Sequence, residues 1–236
     1  MQNLGFTRSS YQADHLLLTA DTFVRAPLAG MRGATAIVHV SPARGAGFTQ
    51  YTAEFEDGGC LAPAALQRFV YVLEGRLRVG DAALDAGHYA YLPSNAAERV
   101  EAQGAARAAV IEKPYQPLAG AREPTHFTGD EAALESQALG GDADLQVRKL
   151  LPDEPAFDFA VNTMTYQPGA ALSMVEMHVM EHGCLILAGG GIYRLGDRWY
   201  PVTAGDFIWM APYCPQWFGA LGKVAAKYLI YKDWNR

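Results

Sequence analysis

Hydrophobic and polar residues alternate in many short runs along this chain, which is the pattern of β-strands with one buried face. Clear examples are residues 35–40, 49–55 and 68–79, the last with a predicted hairpin turn at Glu74-Gly75. Glycine and proline separate the runs, as they do between short strands. Residues 130–138 are a candidate for a short helix. The pattern predicts an all-β protein.

Two segments of the chain repeat the same pattern. Residues 72–75 (VLEG) match residues 186–189 (ILAG), and residues 85–93 match residues 203–212 with one inserted residue. Residues 113–124, between the copies, are rich in proline and glycine, which is typical of a domain boundary. The repeat predicts two tandem jelly-roll-like β-barrels, one over residues 1–124 and one over residues 125–236.

Composition and charge narrow the class of partner. The formal net charge is −6, and no cluster of lysine and arginine occurs, which argues against nucleic acid or an acidic membrane surface. No apolar run is long enough to span a bilayer, and the first residues lack a signal-peptide pattern. Three cysteines without a Cys-x-x-Cys pair fit a reducing cytoplasm. A buried small residue is the favoured interpretation of Cys214, and His15 and His39 are expected to be structural.

A group of four polar residues in the second copy predicts a metal site. Glu176 and His178 would share one face of a strand, His182 would follow a turn, and Gln216 would lie on a later strand after a turn near residues 203–206. Two imidazoles, a carboxylate and an amide oxygen suit manganese, iron, nickel or zinc. The alternative is a pair of ordinary half-buried histidines.

The spacing of these residues resembles the two-part signature of the cupin barrel, although that signature usually supplies His, His, Glu and His. In the first copy the corresponding positions hold Ala62, Ala64 and Arg68, which cannot bind a divalent ion. A metal is therefore predicted in the second barrel alone.

Longer motifs resemble one family in particular. Residues 176–183, 191–202, 204–217 and 227–236 are similar to (S)-ureidoglycine aminohydrolase, and the similarity covers nearly the whole chain. The resemblance implies a bicupin of purine (allantoin) catabolism, an amidine-type C–N hydrolase that converts (S)-ureidoglycine and water to (S)-ureidoglycolate and ammonia. It implies Mn²⁺, with other divalent ions left open, and it assigns the metal ligands to Glu176, His178, His182 and Gln216.

The resemblance also implies a substrate site formed by Tyr193, Tyr228 and Lys232, with Glu176 and Gln216 touching the substrate as well. Glu176, Tyr228 and Lys232 are the candidates for catalysis. Strand alternation places Tyr228 and Lys232 on one face, where the ammonium of Lys232 can pair with a substrate carboxylate.

Two other functions stay open at this point. One is a different metal-dependent cupin enzyme, such as an isomerase or a dioxygenase, acting on a small polar acid. The other is a cupin that binds a small ligand without catalysis. A small-molecule substrate and a homo-oligomer are expected, the latter because barrel faces would otherwise be exposed.

Overall fold

The computed structural model describes residues 5–233, and these form two compact units. The N-terminal unit comprises residues 24–135 and 152–158. The C-terminal unit comprises the described parts of residues 1–23 and 159–235, together with residues 136–151. Trp234, Asn235 and Arg236, which end the last motif of the family resemblance, lie outside the described residues.

Antiparallel strands make up nearly all of the regular structure, which confirms the predicted all-β class. The strands are β1 Ser10–Tyr11, β2 His15–Leu18, β3 Met31–Val40, β4 Thr49–Leu61, β5 Gln67–Glu74, β6 Arg76–Val79, β7 Ala82–Asp85, β8 His88–Leu92, β9 Val100–Ala102, β10 Ala106–Lys113, β11 Phe127–Asp130, β12 Gln137–Leu139, β13 Asp142–Lys149, β14 Phe159–Tyr166, β15 His182–Ala188, β16 Gly190–Leu195, β17 Arg198–Thr203, β18 Phe207–Met210, β19 Gln216–Ala220 and β20 Ala226–Asp233.

Helical structure within residues 5–233 is limited to short 3₁₀ turns, Ala20–Thr22, Pro42–Arg44 and Glu131–Ala133. No helix in this part of the chain is long and apolar enough to cross a membrane. The helix expected over residues 130–138 is therefore wrong beyond its first turn. Leu134 is already extended, and residues 137–139 pair with β13 instead.

The N-terminal unit contains one nine-stranded sheet in the order β11-β8-β5-β10-β4-β9-β6-β7, with β3 paired to β4. Its alternating strands turn one face inward. In β6, for example, Leu77 and Val79 are buried while Arg76 and Arg78 are exposed. The inward side chains form one apolar core within this unit.

The C-terminal unit contains an eight-stranded sheet, in the order β1-β2-β18-β15-β20-β14-β13-β12, and a three-stranded sheet, in the order β17-β16-β19. The two sheets share one core, which includes Tyr193 from β16 and Tyr228 from β20. The first five residues of β15, at the centre of the larger sheet, are buried. This unit carries the candidate site.

The strand β2 belongs to the C-terminal unit although it lies near the start of the chain. Leu16, Leu17 and Leu18 are buried and pair with β18, so they cover a strand edge that would otherwise be open. The boundary between residues 124 and 125 remains a prediction from the sequence repeat. The compact units differ from it, because residues near the N-terminus complete the C-terminal sheet.

Glycines at the ends of β5 and β15 redirect the chain between strands. The predicted hairpin at Gly75 is wrong, because β5 pairs with β8 and β10, whereas β6 pairs with β7 and β9. Gly75 has a φ of +74°, and a Cβ there would lie 2.4 Å from the carbonyl oxygen of Ala105. Gly189 has a φ of +64°, and its Cβ would lie 2.5 Å from the carbonyl oxygen of Ala225. Only glycine fits either position, which explains why both copies of the repeat contain it.

Candidate metal and substrate site

The C-terminal unit encloses a cavity of about 370 Å³. All seven residues predicted for the metal and the substrate line this cavity: Glu176, His178, His182, Tyr193, Gln216, Tyr228 and Lys232. They come from β15, β16, β19, β20 and the segment before β15. The fold therefore brings together residues that are far apart in the sequence.

Glu176 and His178 lie in an irregular segment and not in the predicted strand. Glu176 makes one isolated bridge to Gln216, with backbone hydrogen bonds of 2.8 and 2.9 Å. Beyond this bridge the Tyr213 N–H donates to the His178 carbonyl oxygen at 2.6 Å, and Tyr213 adopts a left-handed φ of +64°, so the pairing does not continue as a regular ladder. The predicted same-side placement is nevertheless present, since Glu176 Oε2 lies 3.1 Å from His178 Nε2.

His182 is the first residue of β15, and its side chain is buried with both ring nitrogens lacking a hydrogen bond of good geometry. Burial, together with the neighbouring His178 and Lys232, lowers the pKa of His182 to about 3. The imidazole is therefore neutral at pH 7. A buried imidazole without partners costs about 1–3 kcal/mol, and coordination of a metal ion would remove that cost.

This donor set fits a divalent metal ion. His182 offers an unpartnered nitrogen, the rings of His178 and His182 lie 5.4 Å apart, and Glu176 supplies a carboxylate. The ligand atoms of Glu176, His178 and His182 do not all lie within 4.8 Å of one another. Among the described residues, a different group, Asp14, His15 and Cys214, has its ligand atoms that close together.

Two buried tyrosines complete the polar wall of the cavity. Tyr193 donates to Gln216 Oε1 at 3.3 Å, and the Tyr228 hydroxyl lies 2.7 Å from that of Tyr166. Burial raises the pKa of Tyr193 and Tyr228 well above the usual value for a phenol. Both are neutral hydroxyl groups near pH 7, so they serve as hydrogen-bond donors.

Lys232 lies on β20 between His182 on one neighbouring strand and Ala160 on the other. The Asn162 amide is oriented so that both of its ends have a partner. The amide oxygen accepts from Lys232 Nζ at 3.3 Å, and the amide nitrogen donates to the Val161 carbonyl oxygen at 3.0 Å. Asn162 and Lys149 also line the cavity, and sequence reasoning missed both. A polar residue on the inward face of β14 was the available signal for Asn162.

Cys214 does not line this cavity. Burial raises the pKa of its thiol to about 11, so the thiol is protonated near neutral pH. This fits the interpretation of Cys214 as a buried residue better than that of a catalytic nucleophile.

The N-terminal unit has an ion pair at the corresponding strand positions. Arg68 pairs with Glu112 across β5 and β10, as His182 pairs with Lys232 across β15 and β20. Arg68 Nε lies 2.6 Å from Glu112 Oε1, and its Nη1 donates to the carbonyl oxygen of Ala62 at 2.9 Å. A guanidinium thus lies where a metal-binding imidazole would be needed.

Comparison with known proteins identifies the family. The family model described as "Cupin domain" matches residues 162–231. A protein of Oryza sativa subsp. japonica named "Probable (S)-ureidoglycine aminohydrolase" is 40% identical over 239 residues, covering 98% of this chain and 77% of the relative. The "(S)-ureidoglycine aminohydrolase" of Arabidopsis thaliana is 39% identical, covering 98% of this chain and 80% of the relative. The chain belongs to the (S)-ureidoglycine aminohydrolase family.

This membership confirms the family recognised from the motifs. The similarity extends to the fold. The crystal structure of the protein Ylba from E. coli matches with a TM-score of 0.85 at 27% identity, and the match covers 98% of this chain and 95% of the Ylba chain. Membership in the aminohydrolase family and the cupin match together confirm the bicupin fold.

Proposed function

We propose that this protein hydrolyses (S)-ureidoglycine to (S)-ureidoglycolate and ammonia, in the degradation of purines through allantoin. The observation that carries the proposal is that all seven residues predicted from the motifs line one cavity. Water supplies the hydroxyl group of the product, the C–N bond to the amine breaks, and the amine leaves as ammonia.

The functional groups of the substrate match the cavity wall. Ureidoglycine carries a carboxylate, a ureido group and an amine on one carbon. Lys232 pairs with the carboxylate in this proposal, because it lines the cavity and lies on the strand that also carries Tyr228. On substrate binding, the neutral hydroxyl groups of Tyr193 and Tyr228 would turn from their present acceptors, Gln216 Oε1 and Met164 Sδ, and donate to the ureido oxygen. These contacts fix the orientation of the reacting carbon.

Glu176, His178, His182 and Gln216 would hold the divalent ion, for which we propose Mn²⁺. When bound, the ion supplies positive charge that orients the substrate and stabilises negative charge as ammonia leaves. The unpartnered ring nitrogens of His182 support this assignment. Glu176 is the carboxylate that can accept a proton from the attacking water, and that proton leaves with the amine.

Ammonia release from freshly prepared ureidoglycine tests the proposal. We expect the purified, metal-loaded protein to release ammonia well above the rate of a protein-free blank, and His182→Ala to fall to the blank rate. The variant Cys60→Ser, which lies in the N-terminal unit, serves as the matched control and should keep the activity. A wild-type rate equal to the blank would contradict the proposal. Oxygen consumption with bound iron would instead indicate a dioxygenase.

A cytoplasmic location and a homo-oligomeric state belong to the same proposal. Several large apolar side chains of the C-terminal unit are exposed, including Met174, Met177 and Trp199. A second copy of the chain could cover them, and light scattering at several protein concentrations would measure the subunit number.

A further inference from the structure

A second group of potential metal ligands lies in the C-terminal unit, outside the cavity described above. The ligand atoms of Asp14, His15 and Cys214 all lie within 4.8 Å of one another. His15 and Cys214 are buried, whereas the Asp14 side chain is about half exposed. We propose that these three residues bind a divalent transition-metal ion with the ligand preferences of zinc, at a site separate from the proposed catalytic centre.

The hydrogen bonds of His15 suit a metal-binding imidazole. Its Nδ1 lies 2.8 Å from Asp14 Oδ1, and its Nε2 lies 2.9 Å from the Tyr200 hydroxyl. That hydroxyl is also 3.2 Å from Ser10 Oγ. With an ion on Nδ1, the ring proton moves to Nε2 and is donated to Tyr200, which in turn donates to Ser10. A partner that orients the second ring nitrogen is a regular feature of metal-binding histidines.

Charge and ligand type both favour an ion such as Zn²⁺. On binding, the Cys214 thiol releases its proton to solvent and binds as a thiolate. The thiolate and the Asp14 carboxylate together cancel two positive charges, and the imidazole stays neutral. Sulfur, nitrogen and carboxylate oxygen are the three donor types that zinc accepts in a tetrahedral site. Without an ion, the Cys214 thiol donates to the carbonyl oxygen of Pro215 at 3.6 Å.

Two of the three ligands, Asp14 and His15, line a cavity of about 530 Å³, through which the ion and a water molecule as fourth ligand would enter; Cys214 does not line it. Gly196 has a φ of +58°, which favours glycine, and a Cβ there would be in ordinary van der Waals contact with Asp14 Oδ2 at 3.5 Å.

The charged side chains of this cavity are balanced. Arg194 and Arg198 oppose Asp14 and Asp197, and the Arg194 guanidinium lies 5.9 Å above the Trp199 ring. The field of the cavity therefore neither draws in a cation nor strongly repels one. Affinity has to come from direct coordination by the three ligands.

Cobalt is a direct probe, because Co²⁺ bound by a thiolate shows an intense near-ultraviolet charge-transfer band. The metal-stripped His182→Ala protein would be titrated with Co²⁺, so that the site around Glu176 contributes little binding. We expect one Co²⁺ per chain with this band, loss of the band on addition of Zn²⁺, and loss of the band in His182→Ala/Cys214→Ser. The control His182→Ala/Cys60→Ser should keep it.

A folded His182→Ala protein that shows no thiolate band at saturating Co²⁺ would overturn the proposal. A band that survives Cys214→Ser would overturn it as well. If the double variant does not fold, crystals of the wild-type protein grown with zinc decide the matter. Anomalous scattering at the zinc edge should place an ion among Asp14, His15 and Cys214, and its absence there would show that the cluster only ties β2 to its neighbours through hydrogen bonds.

Discussion

Replacing Lys232 by methionine tests the charge that the account assigns to substrate binding. The substitution keeps most of the side-chain stem and removes the ammonium. Lys232 is half-buried on β20, lines the cavity and is held by the Asn162 oxygen at 3.3 Å. Methionine deprives that oxygen and the substrate carboxylate of the Lys232 ammonium.

The expected magnitude follows from the burial of the pair. Truncating one member of a buried charged pair costs about 2–5 kcal/mol, and the partial exposure of Lys232 lowers the upper end of that range to about 4 kcal/mol. At 1.36 kcal/mol for each tenfold change in rate, kcat/KM should fall by about 30- to 900-fold. The ligands Glu176, His178, His182 and Gln216 are unchanged, so metal content should match the wild type.

The assay is initial-rate ammonia release at several ureidoglycine concentrations, with metal content and circular dichroism recorded on the same samples. Lys227→Met on the same strand is the matched control, since Lys227 does not line the cavity. A Lys232→Met efficiency within a few-fold of the wild type, at equal metal content, would refute the assignment of Lys232 to the carboxylate.

Three further predictions follow from the geometry. Glu176→Gln should weaken metal retention and reduce turnover strongly, because it removes a charged ligand; equal metal content and rate would exclude Glu176 as a ligand. Gly189→Ala should destabilise the fold by about 2 kcal/mol or more in urea unfolding, whereas Gly169→Ala, at a φ of +88° with no atom within 4 Å of its Cβ, should cost less. Burial lowers the pKa of His39 to about 3. Between about pH 3 and pH 6.5, this histidine therefore binds more protons in the unfolded chain than in the folded chain. The His39 contribution to stability should fall by about 1.6 kcal/mol between pH 6.5 and pH 5, and His39→Gln should remove that part of the pH dependence.

The sequence was most informative where one residue type is physically required. Gly75 and Gly189 are needed at left-handed corners with close backbone contacts, so the repeat that contains them could be recognised. The residues predicted for the metal and the substrate were identified because they lie in long motifs. All seven line one cavity, as expected for a shared site.

The sequence was less informative where pairing depends on distant segments. Alternation around Glu176 indicated a strand, but this segment makes only isolated bridges, Ala171 to Gly219 and Glu176 to Gln216, and the opposite segment turns at the left-handed Tyr213. The hairpin at Gly75 was wrong because local alternation cannot say which strand becomes the neighbour. Asn162 was missed because a single polar residue in a strand has no motif of its own.

The approach of His15 to Cys214 shows the same limit. The two residues lie near opposite ends of the chain, and β2 pairs with β18, the strand just before Cys214. His15 was expected to be structural, and its contacts with Asp14 and Tyr200 agree with that interpretation. Only the folded chain shows that a thiol completes a set of three ligands.

The handedness of the product tests the central claim most directly. Wild-type protein loaded with Mn²⁺ would be supplied with freshly prepared ureidoglycine, and the ureidoglycolate formed would be resolved on a chiral column. The account predicts the (S) enantiomer in large excess, because Lys232, Tyr193 and Tyr228 fix one orientation of the reacting carbon. A racemic product formed at the rate of the protein-free blank would contradict it.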